Sequence, residues 1–269
     1  METLVLEEKK VSEPHTAAPS KPTFLCIGLA KTGTTTLIRY LAAHPQIFMT
    51  KKYEVNFFNN DSEYNRGCIY YENNFITDKL IVGEKTPSYC LPYAIDRIHR
   101  YSPNIKLVVL LREPISRAFS HFNMWLDHQE KTLDDVSDST IMNIFKKEEQ
   151  VQLLKLRTNG PLFVVKGKYD EIIIYIYTKF PKENVYIGIA EEIRMNKQKG
   201  YNDIFRFLGA ELMNIDENIG DYGVRQYARP IPEILKKRLY TIYKPHNERL
   251  YKILGRKIDI WEEYYKTCK

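Results

Sequence analysis

The stretch Phe24-Leu-Cys-Ile-Gly-Leu-Ala30, followed at once by Lys31-Thr-Gly-Thr-Thr35, constrains this chain more than any other segment. Its first seven residues are almost wholly apolar and partly β-branched. A run this short and this uniformly apolar predicts a strand buried on both faces. Such a strand needs cover on both sides, and in a mixed chain helices supply it. A helical pattern follows directly, with Leu37, Ile38 and Leu41 spaced for one buried face. Pro45 lies just beyond and ends it. Strand, glycine turn and helix together form the arrangement in which backbone N–H groups and a helix N-terminus cradle a phosphate. Gly28 and Gly33 have the GxxxxG spacing of a Walker A loop, but that loop needs Lys and then Ser/Thr straight after the second glycine. Thr34 and Thr35 stand there instead, and the lysine, Lys31, lies inside the loop. Taken alone, the segment reads as an anion-binding loop or as a tight turn with capping threonines, and the glycine spacing favours the anion.

Three more strands are predicted, at Lys79–Gly83, Lys106–Leu111 and Asn184–Ala190. Pro114 opens a helix whose apolar face is Ala118, Phe122 and Trp125. A long amphipathic helix runs from Pro232 to Leu254, with a break expected near Pro245. The alternation predicts an α/β fold: a central parallel sheet flanked by helices on both faces, P-loop-like. The charged, proline-containing residues 1–22 read as a flexible tail, and 23–269 as one domain.

Composition narrows the function classes. Lys and Arg number 40 against 34 Asp and Glu, a formal charge of +6. That balance permits an anionic ligand without demanding nucleic acid. Cys26, Cys68, Cys90 and Cys268 form no CxxC pair and have no histidines at ligand spacing, so no metal site is expected and the thiols fit a reducing compartment. No apolar run approaches the roughly 20 residues of a membrane span, and no signal-peptide core is visible. These features predict a cytoplasmic protein without stable membrane insertion. The 20 tyrosines fall mostly on helix faces and strands, as core residues do.

The displaced lysine carries a resemblance. Lys31-Thr-Gly-Thr-Thr35 after a buried strand resembles the 5′-phosphosulfate loop of sulfotransferases that use 3′-phosphoadenosine 5′-phosphosulfate. Tyr53-Glu-Val-Asn-Phe-Phe58 is similar to the K-E-x-H-F-F segment of the heparan sulfate group of that family, with Tyr53 for its lysine and Asn56 for its histidine. Gly83-Glu-Lys-Thr-Pro-Ser-Tyr89 resembles its G-E-K-S/T-P-x-Y segment, and Leu111-Arg-Glu-Pro-Ile-Ser-Arg-Ala-Phe-Ser120 its 3′-phosphate motif. Tyr243–Leu250 and Leu254-Gly-Arg256 are similar to the family's closing helix. The motifs occur in family order over residues 23 to 262.

The resemblance implies a sulfuryl transfer that needs no metal, leaving adenosine 3′,5′-bisphosphate. Lys31 would neutralise charge on the bridging oxygen, and Thr32, Gly33, Thr34 and Thr35 would hydrogen-bond the 5′-phosphosulfate. Glu54 takes the general-base position, with Val55, Phe57 and Phe58 offering apolar surroundings and Lys51, Lys52 and Lys85 opposing charge. Asn56 cannot transfer protons, so it only orients the acceptor. Lys85 would reach the sulfonate or acceptor from a strand end; its plainer role is to pair with Glu84. Arg112 and Ser120 would hold the 3′-phosphate. Arg225 matches a late basic loop that closes over the bisphosphate, and the disulfide that brackets that loop in animal heparan sulfate members has no counterpart here. Arg117 is expected to pair with an acid, and His121, His128 and His246 to be surface or packing residues. The acceptor is a saccharide or other small molecule, selected by the irregular stretches 59–78 and 128–165. The competing readings are a P-loop nucleotide kinase and an inactive nucleotide- or glycan-binding relative.

Overall fold

The computed structural model describes residues 18–153, 162–216, 219–220, 227 and 229–268. Five strands form one sheet: β1 (Phe24–Gly28), β2 (Ile47–Met49), β3 (Ile81–Lys85), β4 (Lys106–Leu111) and β5 (Val185–Ile189). Every neighbouring pair is parallel, and the order is β2-β3-β1-β4-β5. The expected α/β fold is therefore present.

The period-two alternation of side chains explains the two cores. Leu25 and Ile27 of β1 join Leu107, Val109 and Leu111 of β4 on one face. There they pack under helices Pro92–Tyr101, Pro114–His128, Tyr169–Tyr177 and Glu233–Leu254. Phe24 and Cys26, with Val108 and Leu110, face the other way onto helices Thr34–Ala43 and Lys197–Leu208. Because all strands run the same way, Gly28, Lys85 and Leu111 end at one edge of the sheet. β1 has β2 and β3 on one side and β4 and β5 on the other. The winding direction reverses beside it, at the position where open α/β sheets bind ligands.

Several boundaries differ from the sequence expectation. β1 stops at Gly28 and not at Ala30. The second predicted strand is displaced by two residues, so Glu84 and Lys85 lie within β3. Gly83, expected to end that strand, sits inside it, because a Cβ there would lie 2.4 Å from the Phe24 ring and only glycine fits. β2 was not predicted; its three residues are too few to show a period. The helix at Glu233–Leu254 runs through Pro245 without a break, since buried Leu239, Tyr243 and Leu250 anchor it on both sides. The stretches expected to be irregular contain helices at Asp61–Tyr64, Cys68–Glu72 and Asp138–Glu148. Packing also begins before Thr23, with the Ser20 amide donating to the Phe75 carbonyl at 2.8 Å.

Two glycines shape the turn after β1. Gly33 has φ 89° with nothing within 4 Å of an added Cβ. Gly28 has φ 129°, and its Cβ would lie 2.6 Å from the Pro87 carbonyl oxygen. Gly33→Ala should therefore cost about 1–2 kcal/mol of stability for its left-handed backbone. Gly28→Ala should cost more, about 3 kcal/mol, because strain and a backbone clash combine. Urea unfolding of both variants checks this, and equal costs would contradict the close approach at Pro87.

Candidate active site

The site grows from three segments at the carboxyl ends of β1, β3 and β4. The turn after β1 places Lys31 at φ 70° and Gly33 at the N-cap of helix Thr34–Ala43. No side chain caps that helix, and its first turn holds no acid. Its leading N–H groups are therefore available to an anion. The buried Thr32 hydroxyl donates to the Leu29 carbonyl at 2.7 Å, so what Thr32 offers outward is its backbone amide. Thr34 is buried at the helix start. The Thr35 hydroxyl lies 3.0 Å from that of Tyr53.

The strand β3 contributes two charged residues that alternation sends to opposite faces. Glu84 is fully buried and accepts from Tyr71 at 2.9 Å, Tyr89 at 2.7 Å and Thr86 at 2.8 Å. Burial pushes its carboxyl above the ordinary glutamate range, while the three hydroxyl donors oppose that rise. The same donors fix the next segment. The Tyr89 oxygen accepts from the Phe57 amide at 2.9 Å, and the Thr86 oxygen from the Asn56 amide at 3.3 Å. Phe57 stacks on Tyr71 with centroids 4.5 Å apart, and Phe58 meets Tyr89 edge-on at 5.3 Å. Val55, Phe57 and Phe58 are thus buried core residues.

Lys85 does not pair with Glu84. Its Nζ donates to Glu54 Oε1 at 3.1 Å, with the Lys85 side chain 2% exposed and that of Glu54 30% exposed. The Tyr53 ring covers the ammonium at 3.6 Å, a cation–π contact. Tyr53 therefore bridges the Glu54–Lys85 pair to Thr35. Asn56 takes φ 57°, donates to the Glu54 carbonyl at 3.4 Å and accepts from Asn59 at 3.0 Å.

The third segment follows β4. Arg112 Nη1 donates to the Lys31 carbonyl at 3.2 Å, tying the two loops together. The Tyr169 hydroxyl donates to the Arg112 carbonyl at 2.7 Å and fixes its backbone. Glu113 caps the next helix by accepting from Ile115 and Ser116 at 2.8 and 2.7 Å. That helix end is filled by the protein's own carboxylate, leaving Arg112 and the buried Ser120 as its polar offerings. Arg225 lies outside the described residues. Arg117 differs from expectation: it is fully buried and donates to the Phe163 carbonyl, with no acid bonded to it among the described residues. His246 Nδ1 lies within hydrogen-bond distance of Asp170, at 2.8 Å, and Arg249 donates to the same carboxylate at 2.6 Å. His121 is buried against Phe163.

Residues 21–222 match the family described as a sulfotransferase domain. The chain belongs to the sulfotransferase family. It is 25% identical, over 93% of its length and 70% of the relative's, to the membrane-associated sulfotransferase kil1 of Dictyostelium discoideum. It is 25% identical to the heparan sulfate glucosamine 3-O-sulfotransferase 5 of Homo sapiens, over 91% of this chain and 75% of that one. A crystal structure of a sulfotransferase from Alicyclobacillus acidocaldarius shares the fold, with TM-score 0.70, 24% identity, and coverage of 90% of this chain and 99% of that one. The family's chemistry is sulfuryl transfer, which leaves the nucleotide-kinase reading without support. No helix among the described residues is long and apolar enough to cross a membrane.

The plainer role for Lys85, a pair with Glu84, is not the one found; Lys85 meets Glu54, on which the sequence already placed its charge, and Tyr53 was given no role. The signal for Glu84 was available, because adjacent strand residues face opposite sides. The tyrosine count also had a use here, since two tyrosines supply the hydroxyls that Glu84 requires. Glu84 further makes stability depend on pH. Its folded-state pKa is raised, so its contribution is fully present below the ordinary glutamate value and is lost as pH rises through the folded value. Across the pH range above the ordinary glutamate value the protein should therefore lose stability relative to Glu84→Gln, which does not titrate. Urea midpoints of both proteins across that range check the sign; a constant difference between them would contradict it.

Proposed function

We propose that this sulfotransferase moves a sulfuryl group from 3′-phosphoadenosine 5′-phosphosulfate to an acceptor hydroxyl, with Glu54 as general base. The observation that carries the reading is the Glu54–Lys85 pair, held through Tyr53 against the uncapped loop after β1. The donor supplies an activated sulfuryl group whose bond to the 5′-phosphate oxygen breaks. Glu54, partly exposed and oriented by Lys85, takes the acceptor proton as the hydroxyl oxygen bonds to sulfur. Lys31 and the amides of Thr32, Gly33, Thr34 and Thr35 hold the 5′-phosphate and stabilise the electron pair it gains. Lys85 balances charge on the sulfuryl oxygens from within the buried side of the cleft. Arg112 and Ser120 hold the 3′-phosphate, and Arg225 joins them from the late loop.

Asn56 bonds to backbone and to Asn59, which supports an orienting role and leaves proton transfer to Glu54. The acceptor is a saccharide or other small molecule bearing a hydroxyl. Four free thiols favour a reducing, cytoplasmic setting for the reaction.

Melting curves with adenosine 3′,5′-bisphosphate, with ATP and magnesium, and without ligand test the donor. Stabilisation by the bisphosphate is expected; stabilisation by ATP alone would overturn the assignment. Glu54→Gln should lower sulfate transfer by about 10²-fold or more while leaving bisphosphate binding intact. Near-normal turnover in that variant would show that the base is another group.

A further inference from the structure

β4 ends at Leu111 and the next helix begins at Pro114, so Arg112 stands in a connection of two residues. The aim of its side chain follows from the peptide unit that joins it to Glu113. Both polar ends of that one unit are held. The Tyr169 hydroxyl donates to the Arg112 carbonyl at 2.7 Å, and the Glu113 amide donates to Glu191 Oε1 at 2.9 Å. The plane of the unit is therefore fixed from two sides, by residues 57 and 78 positions further along the chain.

Trp261 joins the two holders. Its indole Nε1 donates to Glu191 Oε2 at 3.1 Å, and its ring meets that of Tyr169 with centroids 6.0 Å apart. Each oxygen of the Glu191 carboxylate thus takes one donor. Trp261 and Tyr169 are 0% and 1% exposed, so neither ring can swing away without opening the core. A second contact holds the segment that carries the indole. Arg256 donates to both carboxylate oxygens of Glu192 at 2.6 Å, and Glu192 lies beside Glu191 in the first turn of helix Ala190–Met195. Two adjacent glutamates therefore pin the carboxyl-terminal segment to the end of β5.

An arginine that grips a phosphate as a fork does so over a narrow range of angles. Sites of this kind work when the group is held to about 0.5 Å and 10–20°. The bond from Arg112 Nη1 to the Lys31 carbonyl fixes the outer end of the side chain. The hold on its peptide unit fixes the inner end. We propose that Tyr169, Glu191 and Trp261 form a positioning clamp that aims the Arg112 guanidinium at the 3′-phosphate of the donor. The carboxyl-terminal helix Asp259–Lys266, which carries Trp261, is thereby part of the nucleotide site. The proposal rests on Arg112 as the 3′-phosphate ligand, as argued above, and the clamp acts only through that arginine.

Glu191→Gln keeps the size of the side chain. Its amide nitrogen must face either the Glu113 amide or the Trp261 indole, both donors, so one of the two bonds is lost. Trp261→Phe keeps an aromatic ring beside Tyr169 and removes the indole donor. Equilibrium binding of adenosine 3′,5′-bisphosphate and of adenosine 5′-monophosphate separates aim from stability. Wild type should prefer the bisphosphate by about tenfold or more. Each variant should lower that preference about fivefold, as loss of one ordinary hydrogen bond implies, while binding adenosine 5′-monophosphate within about twofold of wild type. Added to Arg112→Ala, Glu191→Gln should change neither affinity by more than about twofold, because its effect passes through the arginine. Parallel weakening of both nucleotides, an unchanged preference in the variants, or a further loss on the Arg112→Ala background would overturn the clamp. Should Glu191→Gln fail to fold, the preference of Trp261→Phe decides. A wild type that binds the two nucleotides equally would overturn the placing of the 3′-phosphate at Arg112, and the clamp with it.

Discussion

The hydrogen bonds around Glu84 decide where this protein can do chemistry. A carboxylate inside the core is costly unless its oxygens are engaged, and here Tyr71, Tyr89 and Thr86 engage them. Those same groups hold the amides of Asn56 and Phe57, so the backbone after β2 cannot move independently of β3. Glu54 is placed by this lattice, two residues before the clamped amides. Lys85 follows Glu84 along the strand and is turned the opposite way by the pleat, which brings it to Glu54. One buried acid thus positions a partly exposed one, through hydroxyl groups and strand geometry.

A second constraint comes from the sheet. With β1 in the middle of five parallel strands, the loops after β1, β3 and β4 must emerge side by side. The Arg112–Lys31 bond joins the first and third of these, and Tyr53 joins the first and second. Positive groups from separated parts of the sequence are thereby gathered without any long-range charge excess being required. The overall charge of +6 is not what makes the site basic.

Much of this was legible in the sequence because it depends on local rules. β4 is a continuous apolar run and was bounded correctly, and β1 was located by the same signal with its end placed late. The loop Lys31–Thr35 announced itself by glycine spacing and by what stood in the wrong place for a Walker motif. What escaped depends on partners distant in the chain. Arg117 was expected to meet an acid, whereas it meets the Phe163 carbonyl, 46 residues away. His246 was read as a surface or packing residue, yet it meets Asp170, 76 residues earlier. β3 was displaced because the need for glycine at residue 83 arises from the Phe24 ring across the sheet, which no local pattern records.

The central claim is that the loop after β1 and the segment Arg112–Ser120 hold the two phosphate ends of one nucleotide. Equilibrium binding of adenosine 3′,5′-bisphosphate against adenosine 5′-monophosphate tests it directly, because the two differ only in the 3′-phosphate. The account predicts that the bisphosphate binds about tenfold or more tightly, as loss of a charge-assisted arginine contact implies, and that Arg112→Ala erases the difference. Equal affinity of wild type for the two nucleotides would contradict it.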